Sequence, residues 1–230
     1  MKILFCSISY MEYYKGMPEI DKLTGGGAWV SENGYGHEMY NFQPEKLSFE
    51  NEEGEYCLGF FETKSTNGQS NQLHIEKIRE CGSYKNEDSV DDVLVIWCAT
   101  HPAHRFTTTV GWYRHATVYR NYQELIFNGL KGGEYIQYYN VIAKAEDCVL
   151  LPTSLRSQKL EWEAPRRKAK GRNYGFGRAN VWFAEESGNE NLEKYLKELE
   201  RKINDYYGEN WLNKYPEGAR SAKNHVSISI

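Results

Sequence analysis

Three tryptophans and a scatter of small polar residues are the groups in this chain best suited to grip a flat, hydrogen-bonding ligand. The segment Trp29-Val30-Ser31-Glu32-Asn33-Gly34-Tyr35-Gly36-His37-Glu38 follows Gly25-Gly26-Gly27. Trp97 stands in the apolar run Asp91–Ala99, which ends on Thr100-His101, and Gly111-Trp112-Tyr113-Arg114 opens the next apolar segment. An extruded base needs aromatic faces on either side and donors and acceptors along its edge. Trp29, Trp97, Trp112 and Tyr113 offer the faces; Asn33, Ser9 and Thr100 offer the edge. Trp97 and Trp112 suit a hydrophobic core equally well, because both sit in strand-like apolar company.

Other chemistries have weaker support. Cys98, His101 and His104 are spaced C-x-x-H-x-x-H, with His115 as a distant fourth ligand, but zinc needs four partners or three plus water. The natural alternative is a strand end running into a polar loop through Pro102, and no metal is expected. Glu62-Thr63-Lys64 is an E-x-K of the kind that metal-dependent nucleases use, with Glu53 or Glu55 as the third group. No G-x-x-x-x-G-K-[ST], G-x-S-x-G or H-E-x-x-H is present, so a phosphate-cradling P-loop is excluded and no cofactor is expected.

Charge is unevenly spread. The net charge is −4, yet Arg156 to Arg178 holds eight basic residues against Glu161 and Glu163. A basic segment on an acidic body points to a localised anion-binding face. Arg156, Arg166, Arg167, Lys168, Lys170, Arg172 and Arg178 are the candidate phosphate contacts. Residues 165 to 178 contain three glycines and one proline, which excludes a regular helix and predicts a loop.

The elements that must position these groups are mostly strands. Lys2–Tyr10, Tyr56–Glu62, Leu73–Ile78, Val90–Ala99, Phe106–Tyr119 and Glu134–Ala145 read as strands, with Asn67-Gly68 as a hairpin turn. Gly111 marks a bulge or a close approach. Residues 44 to 55 read as acidic and exposed, and Leu160–Asn173 reads as a basic loop. Leu192, Tyr195, Leu196, Leu199, Ile203 and Tyr206 recur at helical spacing behind Asn189 or Asn191 as cap, so Asn191–Tyr206 reads as a helix. The fold class is α+β: a strongly bent mixed sheet or small β-barrel with peripheral helices and a C-terminal amphipathic helix. Residues 1–185 form the main domain and 186–230 a helical extension packed on it. Five scattered cysteines without a C-x-x-C, no apolar run of membrane-spanning length and no secretory cleavage site point to a reducing, cytoplasmic setting.

The order of segments resembles PUA-like domains of the EVE and YTH type. The matching pieces are Lys2–Tyr10, Trp29–Asn33, Asp92–Thr100 and Val110–Arg120. Gly111–Arg120, Leu151-Pro152 with Arg156, and Gly175–Phe183 also look like segments of bacterial proteins in which such a domain accompanies an HNH nuclease of the modification-dependent restriction type. This resemblance covers residues 1 to 185. It implies base flipping and modified-base recognition, with DNA favoured over RNA, a role in restriction or phage defence, and a nuclease partner encoded separately, since no HNH module is present. The rival readings are a metal-dependent nuclease using Glu62 and Lys64, and a protein-interaction module in phage–host conflict.

Overall fold

The apolar run around Trp97 becomes the spine of a mixed sheet because its side chains are buried on both faces, as a central strand requires. The computed structural model describes residues 1–25, 36–63, 65–66, 69–70, 72–128, 134–167, 171–186, 188–217 and 219. In chain order the strands are β1 (Ile3–Ile8), β2 (Pro44–Phe49), β3 (Glu52–Gly59), β4 (Ser65–Thr66), β5 (Gln69–Ser70), β6 (Ser89–Thr100), β7 (Thr107–Asn128), β8 (Glu134–Lys144), β9 (Cys148–Leu150) and β10 (Val181–Trp182). Eight of them make one sheet in the order β10-β1-β6-β7-β8-β3-β2, with β9 also paired to β7. The sheet is open, ending on β10 and β2, so the barrel alternative is not realised. β1 and β6 run parallel, from Ile3 opposite Leu94 to Ile8 opposite Ala99. The other pairs are antiparallel.

Strand β7 is 22 residues long and changes partners along its length. Its first half lies against β6 and β9, and its second half against β8, with a register break between Val118 and Gln123. Gly111 permits the close approach of β9: a Cβ there would stand 2.2 Å from the Val149 carbonyl oxygen and 2.7 Å from the Phe42 ring. The expected strand at Leu73–Ile78 is instead a 3₁₀ turn at Ile75–Lys77, tied to the sheet by Leu73 N–H donating to Arg120 O. The acidic, exposed stretch 44–55 belongs to the β2–β3 hairpin, in which Lys46 faces Glu55. Across the expected Asn67-Gly68 turn, Thr66 pairs with Gln69.

Two short helices, α1 (Thr153–Arg156) and α2 (Lys159–Trp162), follow β9, and α3 (Glu190–Asn204) closes the fold. Asn189 caps α3 by accepting from Leu192 N–H. The apolar stripe Leu192, Leu196, Leu199 and Ile203 packs on Ile3, Phe5, Ile96 and Trp112, forming the core on one sheet face. Leu4, Cys6, Trp97 and Tyr113 belong to the core on the other face, with Phe42 and Phe61. Among the described residues no helix is long and apolar enough to cross a membrane. All five cysteines are unpaired and buried.

Candidate functional site

Because β1 and β6 are parallel neighbours, both end on the same rim of the sheet. Ser9 and Thr100 directly follow Ile8 and Ala99, the last paired residues of the two strands, so both lie at this rim. Thr100 is exposed and Ser9 is buried. The Ser9 backbone N–H donates to Glu38 Oε1 at 3.1 Å, and its hydroxyl contacts the same oxygen. The hydroxyl also reaches Gly25 O at 3.4 Å. Glu38 lies in a 3₁₀ turn at His37–Tyr40. Burial raises its carboxyl pKa, and nearby Glu62 adds to the rise, while the bonds from Ser9 oppose it. Gly25 and Glu38 flank residues 26–35, so both flanks of that stretch are fastened to Ser9. Trp29 and Asn33 lie outside the described residues.

The loop after β1 is fixed by two side chains that answer its backbone in opposite senses. The Asp21 carboxylate accepts from Glu12 N–H at 2.7 Å, Tyr13 N–H at 2.7 Å and Tyr14 N–H at 2.9 Å. The Arg156 guanidinium donates to Leu151 O at 2.6 Å, Met11 O at 2.8 Å and Glu12 O at 2.9 Å. Arg156 is fully buried between the Tyr10 and Trp211 rings. It is a brace for the rim and cannot contact phosphate, which corrects its assignment as an anion ligand. Further along the loop, the buried Lys15 ammonium donates to Phe42 O and Leu212 O. Burial lowers its pKa to about 8.

The remaining basic residues divide sharply. Arg166 is exposed, and its Nε donates to Thr107 Oγ1 at 2.5 Å. Thr107 faces Thr100 across the sheet, so Arg166 belongs to the rim. Arg178 is exposed two residues before Asn180, whose carbonyl accepts from Ser7 N–H at 2.7 Å and whose amide donates to Glu62 O at 3.2 Å. Arg105, which the sequence pattern did not single out, is exposed in the turn joining β6 to β7. By contrast Arg167 pairs with Glu186 at 2.8 Å and Arg172 with Glu163 at 3.2 Å. Lys168 and Lys170 lie outside the described residues.

Trp97 and Trp112 do not converge. They sit on opposite faces of the sheet, essentially without exposure, Trp97 against Tyr113 and Trp112 stacked on Trp162 at 5.6 Å. Tyr113 is fully buried too. All three are core, so a base sandwich built from them is ruled out by the sheet between the two indoles. Glu62 is exposed at the rim, while Glu55 lies four strand residues before Gly59, about 13 Å along an extended strand, and Lys64 lies outside the described residues. Cys98 faces the α3 side with its thiol pKa raised by burial, and His101 turns the other way to pack on Tyr10 and accept from His104 N–H at 3.3 Å. His115 bonds Asp92 elsewhere, at 2.7 Å. Among the described residues no three His, Cys, Asp or Glu side chains are grouped to hold a metal ion.

In comparisons with known proteins the chain matches no family model, no curated protein and no solved structure at a significant level.

Proposed function

We propose that this chain is a nucleic-acid-binding module that reads a modified, extruded base at the rim formed by the ends of β1 and β6, in keeping with the PUA-like resemblance of its segments. One observation carries the reading: Ser9 and Thr100 both lie at this rim, with the exposed Arg166 bonded to Thr107 opposite Thr100 and the exposed Arg178 two residues before Asn180, which is bonded to Ser7. The exposed Thr100 hydroxyl supplies a hydrogen bond to a base edge, and the buried Ser9–Glu38 pair holds the rim in place behind it. Trp29, the aromatic that the sequence assigns to the base, supplies a stacking face, worth about 1–3 kcal/mol per base. The cations contact the phosphates on either side. Flipping a base costs a few kcal/mol, least where the base is weakly paired. DNA is the favoured polymer, and a separately encoded nuclease would act on what this module recognises.

The test is binding to duplexes carrying 5-methyl- or 5-hydroxymethylcytosine against the plain duplex, titrated by anisotropy. Tighter binding of a modified duplex is expected, with that preference lost in Trp29→Ala and Ser9→Ala. Equal affinity for modified and plain duplexes and single strands would overturn it.

A further inference from the structure

Past Val118, β7 and β8 run on together as a two-stranded ribbon, and one edge of that ribbon is open. In this part β7 pairs with β8 from Gln123 opposite Tyr139 to Asn128 opposite Glu134. Its other neighbour, β6, stops at Ser89 opposite Tyr119. Arg120 N–H still donates to Asp88 O, and Arg120 O accepts from Leu73 N–H. Beyond Arg120, no backbone group among the described residues pairs with this edge of β7.

The facing strand shows which backbone groups point outward. Tyr138 N–H points away from β7, because it donates to His37 Nδ1 at 3.5 Å. In an antiparallel ladder, facing residues alternate between pairs that exchange hydrogen bonds and pairs that do not. Tyr138 faces Glu124, so Glu124 N–H and C=O also point away from β8. Those of Ile126 and Asn128 follow by the same alternation. Elsewhere the sheet protects its edges. His37 closes the β8 edge at Tyr138, β2 carries Pro44, Glu45 and Lys46, and β10 is two residues long. Proline, charge and shortness all discourage a strand from pairing with another chain. Residues 123 to 128 contain no lysine, arginine or proline. Beside this edge, Ile126 stands opposite Ile136 on the outer face, 37% and 41% exposed, while Phe127 and Gln137 on the other face are buried.

We infer that this edge pairs with the same edge of a second copy of the chain, giving a two-fold dimer whose sheet runs through both β7 strands antiparallel. Ladder bonds form only where outward-facing residues meet, which leaves few registers. One sets Glu124 against its own counterpart, and like charges directly opposite are destabilising. The next sets Glu124 against Ile126. A further shift sets Ile126 against its counterpart, with Ile136 of each copy beside it and Glu124 opposite the uncharged Asn128. That register gathers the exposed isoleucines of both copies into one cluster and opposes no like charges. A second copy is therefore a complement that the edge itself specifies. This inference does not depend on the reading of the rim, since residues 124 to 128 and Ile136 lie outside it.

The full chain is followed by sedimentation equilibrium from about 1 µM to about 0.1 mM. A reversible monomer–dimer equilibrium is expected, with dimer predominating at the upper end. Ile126→Lys places like charges across the axis and removes apolar burial, so it should weaken the dimer by about tenfold or more. Its Tm at the dilute end should match the parent's, because the side chain is exposed in the monomer. Ile126→Cys should form an interchain disulfide on mild oxidation, since facing Cα atoms stand about 5.5 Å apart, within disulfide reach. The five native cysteines are buried and do not compete. Glu124→Cys should not cross-link, because its counterpart lies about 13 Å away along the partner strand. If Ile126→Lys fails to fold, the two cysteine variants decide the matter alone. A chain that stays monomeric at about 0.1 mM overturns the proposal and leaves the edge to a strand of another protein. So does a dimer that tolerates Ile126→Lys, or one that cross-links through Glu124→Cys in preference to Ile126→Cys.

Discussion

The loop after β1 and the packing beneath α3 both bury polar groups, and they differ in whether the protein answers them. In the loop, three N–H groups converge on Asp21, and two carbonyls, joined by that of Leu151, converge on Arg156, so the backbone from Met11 to Tyr14 is held in one conformation. Beneath α3, the Thr109 hydroxyl has only the Cys98 sulfur for a partner, and the buried Tyr195 hydroxyl has none. Satisfied buried groups make a rigid frame; an unsatisfied one costs stability, about 1–3 kcal/mol. The same contrast sorts the arginines. Arg156 is locked inside, Arg167 and Arg172 are neutralised on the surface, and Arg166 and Arg178 stand exposed at the rim.

Removing the frame should have the largest effect. Arg156→Met leaves three carbonyls without their donor and should cost about 3 kcal/mol or more, a fall in Tm on the order of 10 °C by thermal denaturation. Arg156→Lys should recover little of this, because an ammonium cannot reproduce the planar fork. A variant that melts like the parent would break the contrast at its strongest point.

A pH effect sharpens it. Glu45, on β2, is buried, and burial raises its pKa to about 7, against lowering by a bond from Gln43 and by Lys15. Between pH 4.5 and 7 the folded protein therefore holds a proton that the unfolded chain has shed. The Glu45 contribution is complete below pH 4.5 and is lost as the pH rises through 7. Its size is up to about 3 kcal/mol. Glu45→Gln should flatten the stability profile across that window in urea titrations; an unchanged slope would show that Glu45 does not set it.

At the rim the effect should be on binding and not on folding. Arg166→Ala with Arg178→Ala should reduce the slope of log K against log salt by about 2, close to one unit per lost phosphate contact. Tm should stay the same, and so should the preference for a modified base. Arg167→Ala is the smallest case. Its exposed ion pair is worth about 1 kcal/mol or less, and the salt slope should not move. A slope that responds to Arg167 as strongly as to Arg166 would place the phosphate face elsewhere.

Periodicity revealed the elements whose burial is one-sided or complete. The helix pattern at Leu192, Leu196, Leu199 and Ile203 and the apolar run at 90–99 both became elements within a residue or two of their expected ends. The β2–β3 hairpin was hidden because its exposed positions carry charge, as edge strands do to discourage unwanted pairing. The length of β7 was hidden because its alternation breaks at the irregularity after Val118. At Leu73–Ile78, the apolar Leu73, Ile75 and Ile78 mimic a strand, yet a tight turn buries all three. Of the site, Ser9 and Thr100 were legible as polar residues at strand ends. The role of Arg156 was not, since it depends on carbonyls of Met11 and Glu12 far away in sequence. Glu38 gave only the failed start of a zinc motif, and its contact with Ser9 has no local signature.

The parallel pairing of β1 with β6 also bears on the order in which the chain assembles. Strands β6, β7, β8 and β9 follow one another and pair by short connections, whereas Ile3 must find Leu94 across the intervening hairpins. Closing so long a loop costs entropy before any contact rewards it. The meander should therefore nucleate first, with β1 docking onto a preformed edge. The rim exists only once that last strand is in place, so a chain arrested before this step would keep much of its sheet and lack the proposed base-binding edge.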